Sequence, residues 1–375
     1  MNDRLRIAVV MMGDMSAPVT RTKYGAFHDA LARRFELVGV HNAELQGFAR
    51  LVNALQVARP NRRYWRQRMY MNVPAFRACS RRAAAYAKSL RGQADVILQD
   101  GVLFDMQAFS PGLPSVIYTD YTARLSARQP AAGRSPFTAR EAQQWLAMEA
   151  AAFGRAAHVC TWSRMTRQAV IADYGISPQR VTAVGGGLSL GALPKLPTRH
   201  PDAPLTVLFI GAELRRKGGD VLLQAFVRTR AELPEARLLC LTRGPIPPEL
   251  PLVGVEVIAP TWDREVILGL FRRADLFVLP SRLETWGDVL LEAMAFGLPC
   301  IGVSGQAMEE IVEHERTGLI VPPDDVPALA AAMTRLLRDP ALRQTWGSAG
   351  RRRVETLFTW DKVVDRFAPA IERVS

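Results

Sequence analysis

The sequence predicts an α/β protein built from two doubly wound parallel-sheet domains. Three observations predict it. The chain has 375 residues, which suits two cores better than one at roughly 100–200 residues per domain. Strand-like and helix-like runs alternate almost throughout, in two successive series. Most strand-like runs are continuously apolar rather than alternating, as in strands covered on both faces. A composition of 49% apolar and 22% charged residues excludes a disordered chain, a collagen-like fibre and a coiled coil.

The first series opens with Arg6–Met12, a short apolar run that ends in Gly13 and Asp14. It lacks a cleavage site and reads as a buried strand, not a signal peptide. Further strands are expected at Glu36–His41, Ala94–Gln99, Ser115–Thr119, His158–Trp162 and Val181–Val184. The intervals are long enough for crossover helices at Tyr24–Phe35, Tyr64–Leu90, Ala139–Phe153 and Arg164–Tyr174. Gly175 and Pro178 stop the last of these. The second series places strands at Leu205–Gly211, Arg237–Thr242, Val255–Ala259, Leu276–Pro280, Cys300–Val303 and Leu319–Val321. Its helices are expected at Gly219–Glu232, Arg264–Arg273, Val289–Phe296 and Val326–Arg338. Between the series, residues 185–204 are Gly-rich and then Pro-rich, with no helical period, and form a linker. The expected division is therefore 1–184, a linker at 185–204, 205–350, and a helical tail at 351–375 able to pack on the first domain.

Four Cys lie far apart and five His (His28, His41, His158, His200, His314) form no cluster. This disfavours a disulfide framework or metal site and fits a reducing, cytoplasmic compartment. No run of 18 apolar residues exists to span a membrane. The net charge is +12, and from Arg50 to Ala94 the chain holds eleven Lys or Arg with no Asp or Glu. Such a block attracts phosphates of a lipid surface, a substrate or nucleic acid, or it is simply a solvated face. Tyr64, Trp65, Met69 and Tyr70 interleave with Arg62, Arg63, Arg66 and Arg68. That pattern suits an anionic membrane surface, with the segment Arg50–Arg91 peripheral at the inner face. Nucleic acid is disfavoured because no recognition motif accompanies the charge.

The strongest chemical signal is ADLFVLPSRLETWGDVLLEAMAFGLP, Ala274–Pro299. A strand ends at Pro280, a loop carries Glu284, Trp286 and Gly287, and a helix follows with Glu292 near its start. Eight residues separate the two Glu, about 12 Å if fully helical. A nucleotide-sugar has hydroxyls at both ends and a diphosphate between, on a comparable scale. Two carboxylates can accept hydroxyl hydrogen bonds at each end, and a helix N-terminus offers N–H groups to the phosphates. Glu292 sits within VLLEAMAFG, where an unpartnered carboxylate would be costly. The plain alternative is a surface Glu292 and a Glu284 that complements the helix dipole.

This segment resembles the E-x7-E donor signature of retaining glycosyltransferases of family four, which have two Rossmann-like domains facing a cleft in the GT-B architecture. VLFIGAELRRKGGDVLLQAF (Val207–Phe226), AMEEIVEHERTGLIVPPDD (Ala307–Asp325) and HVCTWSRMTRQAVIADYGISPQRVTAVGGG (His158–Gly187) extend the resemblance. It implies a nucleotide-sugar bound by the second domain, an acceptor bound by the first, and transfer with retention. Lys217 and Arg216 would clamp the diphosphate, where charge grows as the glycosidic bond breaks. Glu284 would bind the transferred sugar and Glu292 the ribose. Backbone N–H groups around Trp286, Gly287 and Asp288, and around Gln306, Ala307 and Met308, would line the donor path. Gly13 would sit in a loop facing the acceptor, or simply turn the chain after a strand.

Three departures stand out. Ala212, followed by Glu213, occupies a position where the family commonly has Arg; Trp286 replaces a common Phe. The acceptor-side strand reads PSVIYTDYT, Pro114–Thr122, with Asp120 and no His. Asp120 either orients or deprotonates an acceptor hydroxyl or caps the following segment. The resemblance implies no cofactor and no metal, the donor being a substrate, and a glycan or lipid-linked acceptor in cell-surface glycan synthesis. A phosphorylase or epimerase on the same architecture, and a non-catalytic sugar-nucleotide or nucleic-acid binding protein, are the competing readings.

Overall fold

The computed structural model describes residues 4–109, 112–128, 137–196, 203–261 and 263–375. His200, residues 197–202 of the expected linker, and the Arg63 side chain lie outside the described residues. The chain forms two compact units, one of Met1–Gly185 with Trp360–Ser375 and one of Gly186–Thr359.

In the first unit the order is β1 (Arg6–Met11), α1 (Pro18–Arg34), β2 (Glu36–Asn42), α2 (Gly47–Gln56), α3 (Arg62–Tyr70), α4 (Val73–Ser89) and β3 (Val96–Asp100). There follow β4 (Ser115–Thr119), α5 (Ala123–Arg128), α6 (Ala139–Arg155), β5 (His158–Thr161), α7 (Arg164–Tyr174) and β6 (Val181–Ala183). The six strands pair in parallel as β2-β1-β3-β4-β5-β6. The interior strand β1 is buried from Ile7 to Met11, as the continuous apolar run requires.

The expected helix at Tyr64–Leu90 is two helices. Asn72 breaks it, its Oδ1 accepting from Ala75 N at 2.8 Å as the N-cap of α4, and Pro74 fixes the first turn. Helices α2 and α5 were not expected. Helix α6 begins in a reciprocal capping box between Thr138 and Glu141, and α7 ends at Gly175 in the left-handed conformation.

The second unit runs β7 (Thr206–Ile210), α8 (Gly219–Glu232), β8 (Arg237–Leu241), β9 (Val255–Ile258), α9 (Arg264–Arg273), β10 (Leu276–Val278) and α10 (Asp288–Ala295). It continues with β11 (Cys300–Val303), α11 (Met308–Ile311), β12 (Gly318–Val321), α12 (Val326–Arg338) and α13 (Pro340–Leu357). Its strands are also all parallel, in the order β12-β11-β10-β7-β8-β9. The strand order therefore reverses between β7 and β10, and loops after these two strands diverge at a switch point, where open α/β sheets place ligands.

Helix α14 (Trp360–Glu372) returns to the first unit. Trp360 and Phe367 are buried and meet Phe27 of α1 at ring distances of 4.8 and 6.5 Å. Phe367 also meets Tyr118 of β4 at 5.4 Å. The tail thus divides at Trp360: α13 belongs to the second unit and α14 to the first. The two units are Rossmann-like domains, each a six-stranded parallel sheet with flanking helices.

Candidate functional site

The loops after β7 and β10 are stitched together. Arg282 N donates to Arg216 O at 3.0 Å, and Arg216 Nη1 donates to Leu283 O at 3.2 Å. Ser281 Oγ donates to Leu283 O at 3.1 Å. Gly218 makes this approach possible: its φ is +71°, and a Cβ there would lie 1.8 Å from Pro280 O. Only Gly tolerates both conditions. Asp220, at the start of α8, braces the join by accepting from Arg282 Nη1 and Nη2 at 2.8 and 3.1 Å.

This junction brings Lys217 to Glu284. Lys217 Nζ donates to Glu284 Oε2 in an ion pair whose two side chains are mostly buried. The Glu284 backbone is fixed as well. Its N–H donates to Gln306 Oε1 at 2.9 Å, and its carbonyl accepts from Ala307 N at 3.2 Å. The Ala307 N–H is therefore spent within the protein, which corrects the expectation that it faces a ligand. The Gln306 side chain, which spacing alone did not single out, anchors the loop. Met308 follows as the first residue of α11 and is buried.

Arg216 has a partner of its own, Glu213 Oε2 at 2.5 Å. The acidic residue beside Ala212 therefore orients the arginine and offsets part of its charge. Glu284 lies in the loop, outside α10, so a purely helical span between the two Glu does not apply. Gly287 caps α10 with φ +115° and no side-chain cap closes that end. Amides of a first helical turn point out of the helix and suit an anion. Asp288 is the first residue of α10. Trp286 is buried, its ring 5.8 Å from that of Phe358, edge to face; its side chain is part of the core beneath the loop.

Glu292 is partnered, as its apolar surroundings require. Arg264, from the start of α9, donates through Nη2 to Glu292 Oε1 at 2.9 Å. Burial raises the Glu292 carboxyl above the ordinary carboxylate range, and Arg264 opposes the shift. Arg264 was not found from the sequence, although Asp263, which caps α9 by accepting from Glu265 and Val266 N–H groups, marks where it would stand. The structure thus gathers Arg216, Lys217, Glu284 and Gln306 at one junction, with Glu292 on the helix that leaves it.

In the first unit, Gly13 follows β1 with φ +128°, and its N–H donates to Asn42 Oδ1 at 3.2 Å. Asp120 follows β4 and is exposed; its carbonyl accepts from Thr166 Oγ1 at 2.9 Å. It does not cap α5. Thr122 does so, accepting from Leu125 N at 3.2 Å. Asp100, at the end of neighbouring β3, was not singled out from sequence. Burial pushes its carboxyl up to about 7, with Lys23 opposing and Asp120 adding to the rise. No local pattern marks a carboxyl whose environment is made by α1 and β4.

The family model described as Glycosyl transferases group 1 matches residues 204–339. Among curated relatives, a D-inositol 3-phosphate glycosyltransferase of Thermobispora bispora is 31% identical over 228 residues, 54% of this chain and 53% of that one. The GDP-mannose-dependent monoacylated alpha-(1-6)-phosphatidylinositol monomannoside mannosyltransferase of Corynebacterium glutamicum is 32% identical over 170 residues, 42% and 44% of the two chains. The chain spans about half the length of the curated relatives it matches. Among solved structures, sucrose-phosphate synthase from Thermosynechococcus elongatus superposes with a TM-score of 0.69 at 21% identity, covering 99% of both chains. Anabaena HepE in complex with UDP and glucose gives 0.64 at 15% identity, covering 98% of this chain and 100% of that one. Residues 204–339 accordingly match the glycosyl transferases group 1 family, and the chain has the two-domain GT-B fold.

Proposed function

We propose that the protein transfers a sugar from a nucleotide-sugar to an acceptor hydroxyl with retention of configuration, in lipid-linked or cell-surface glycan synthesis. The observation that carries the reading is the Lys217–Glu284 pair, anchored by Gln306 beside the open start of α10. In this reading Glu284 accepts hydroxyl hydrogen bonds from the sugar. Lys217, an ammonium with three donors, holds Glu284 with one and offers the rest to the diphosphate. Arg216 adds a second cation, and the α10 amides receive the remaining phosphate charge. Glu292 keeps one oxygen on Arg264 and gives the other to the ribose. As the glycosidic bond breaks, negative charge grows on the diphosphate, and these fixed donors stabilise it there, with no metal or cofactor. The acceptor binds the first unit near Gly13 and Asp120. UDP bound to HepE, and the names of the curated relatives, support the donor class and the lipid-linked direction.

The test is a melting-temperature screen against UDP-, GDP-, ADP- and dTDP-sugars, because a ligand that binds only the native state raises the transition. One nucleotide class should stabilise the protein, and Glu292→Ala should weaken that stabilisation. The product made from the stabilising donor should keep the donor's anomeric configuration by NMR. An inverted product would overturn retention. Stabilisation by no nucleotide-sugar would overturn the donor assignment.

A further inference from the structure

Arg282 holds both halves of the Lys217–Glu284 junction. Its backbone N–H donates to Arg216 O at 3.0 Å, and its side chain donates through Nη1 to Arg215 O. One residue thus fixes the two that precede Lys217, and it stands two positions before Glu284. Its guanidinium is divided between two carboxylates. Nη1 and Nη2 donate to Asp220, the second residue of α8, at 2.8 and 3.1 Å. Nη2 also pairs with Asp324 Oδ1 at 2.8 Å. Asp220 is buried and Arg282 half-buried. A planar fork shared by two fixed carboxylates sets an orientation, which a lone surface ion pair does not.

Asp324 is itself rigidly held. It lies in the link Pro322-Pro323-Asp324-Asp325 between β12 and α12. Two prolines fix φ where the chain leaves the strand. Asp325 caps α12, accepting from Ala328 N at 2.8 Å. Asp324 sits in the left-handed region at φ +57°, one of two non-Gly residues there among those described. Gly would take that conformation without strain, whereas a residue with a Cβ does not. The carboxylate therefore stands at a backbone cost, and among the described residues Arg282 is its partner. We propose that Arg282 is a positioning residue of the donor site. Anchored by Asp220 and Asp324, it sets Lys217 and Glu284 in the geometry that receives a nucleoside diphosphate, and so ties the link after β12 to the site. This inference rests on the transferase reading.

The experiment separates fold from site with Asp324→Gly in the full chain. Its melting temperature should change little, because relief of the left-handed strain offsets the freedom Gly adds to the unfolded chain. Two amides report the junction: Lys217 N–H, which donates to Glu213 O at 2.9 Å, and Ala307 N–H, which donates to Glu284 O at 3.2 Å. Both should exchange hydrogen roughly tenfold faster than in the parent, while Leu208 and Ile301 in the sheet keep their protection. Among UDP, GDP, ADP and dTDP, the one that stabilises the parent most should bind the variant roughly tenfold more weakly by calorimetry. Arg282→Lys, which keeps the charge and loses the fork, should lose at least as much. Asp324→Asn, which tolerates the left-handed conformation and keeps an acceptor oxygen, should recover part of the loss. Parent-level exchange at Lys217 and Ala307 in Asp324→Gly and Arg282→Lys overturns the proposal, and so does parent-level affinity in both. Stabilisation of the parent by none of the four nucleotides overturns the transferase reading instead, and the two amides then decide by themselves whether Arg282 positions the pair.

Discussion

At the scale of single residues, the charges of the candidate site are partnered within the protein. Lys217 and Glu284 face each other in a mostly buried pair, so neither charge is stranded, and their geometry is set in advance. Lys217→Ala should slow turnover at saturating donor by on the order of a hundredfold, about 3 kcal/mol, because a fixed cation is lost where charge develops. A steady-state rate equal to the parent's would remove Lys217 from that role. Away from the site, Glu149 illustrates a buried carboxyl with a different consequence. It accepts from Ala123 N at 3.1 Å and from the Tyr174 hydroxyl, yet burial pushes it up to about 7 from 4.5. The folded state then binds more protons than the unfolded state between those values, so this group's contribution falls as pH rises from about 4.5 to 7. Glu149→Gln should remove roughly 3 kcal/mol of that decline. The check is the difference in urea stability between parent and variant at pH 5 and pH 7.5; His28 and His158, whose burial lowers them to about 4, cancel in that difference. A pH-independent difference would refute it.

At the scale of elements, the approach of the β7 and β10 loops depends on Gly218. Gly175 gives a matched control: its φ of +67° is close to the +71° of Gly218, but nothing lies within 4 Å of its Cβ position. Gly175→Ala should cost only the left-handed strain, about 1–2 kcal/mol. Gly218→Ala adds a clash with the Pro280 carbonyl that a backbone shift must relieve, another 1–3 kcal/mol or so, and it displaces Lys217 from Glu284. Urea titration of both variants, with nucleotide-sugar affinity, checks this; equal losses at the two sites would refute the close-approach argument. The strands and most crossover helices were legible because buried strands write continuous apolar runs, and helices between them write a period. The break at Asn72 was missed because the helical pattern continues on both sides of it. Helix α2 was missed because its ten residues, fewer than three turns, give the helical period little length in which to show. Glu284 and Glu292 were singled out by their spacing around a helix start, and Arg216 and Lys217 by the family resemblance. Their pairings with Arg264, Glu213 and the Gln306 side chain were not, since Arg264 stands on α9, Gln306 was named only for its backbone, and Glu213 reads locally as one charge in a charged run.

At the scale of the whole chain, the first unit is made from two separate stretches, and its last sixteen residues carry core. The ion pairs Arg33–Asp361 and Arg34–Glu372 are exposed and contribute little. Arg366 donates from Nε to Val184 O at 2.7 Å, one bond near the end of the sheet. The apolar face decides. Trp360, Val363, Val364, Phe367 and Ile371 are all buried, and at about 1.5–3 kcal/mol for each such side chain their burial is worth roughly 8–15 kcal/mol. That matches the whole stability of an ordinary domain, about 5–15 kcal/mol. A chain ending at Thr359 should therefore lose the first unit, with Phe27 and Tyr118 uncovered, while the second, which lies wholly within Gly186–Thr359, keeps its sheet. Hydrogen exchange reads the two separately. In the shortened chain the amides of Val9, Leu98 and Ile117 should exchange freely, while those of Leu208, Leu239 and Ile301 stay protected. Protection of Val9 and Ile117 at the full-length level would show that the first unit holds without α14 and that the burial argument overstates its part.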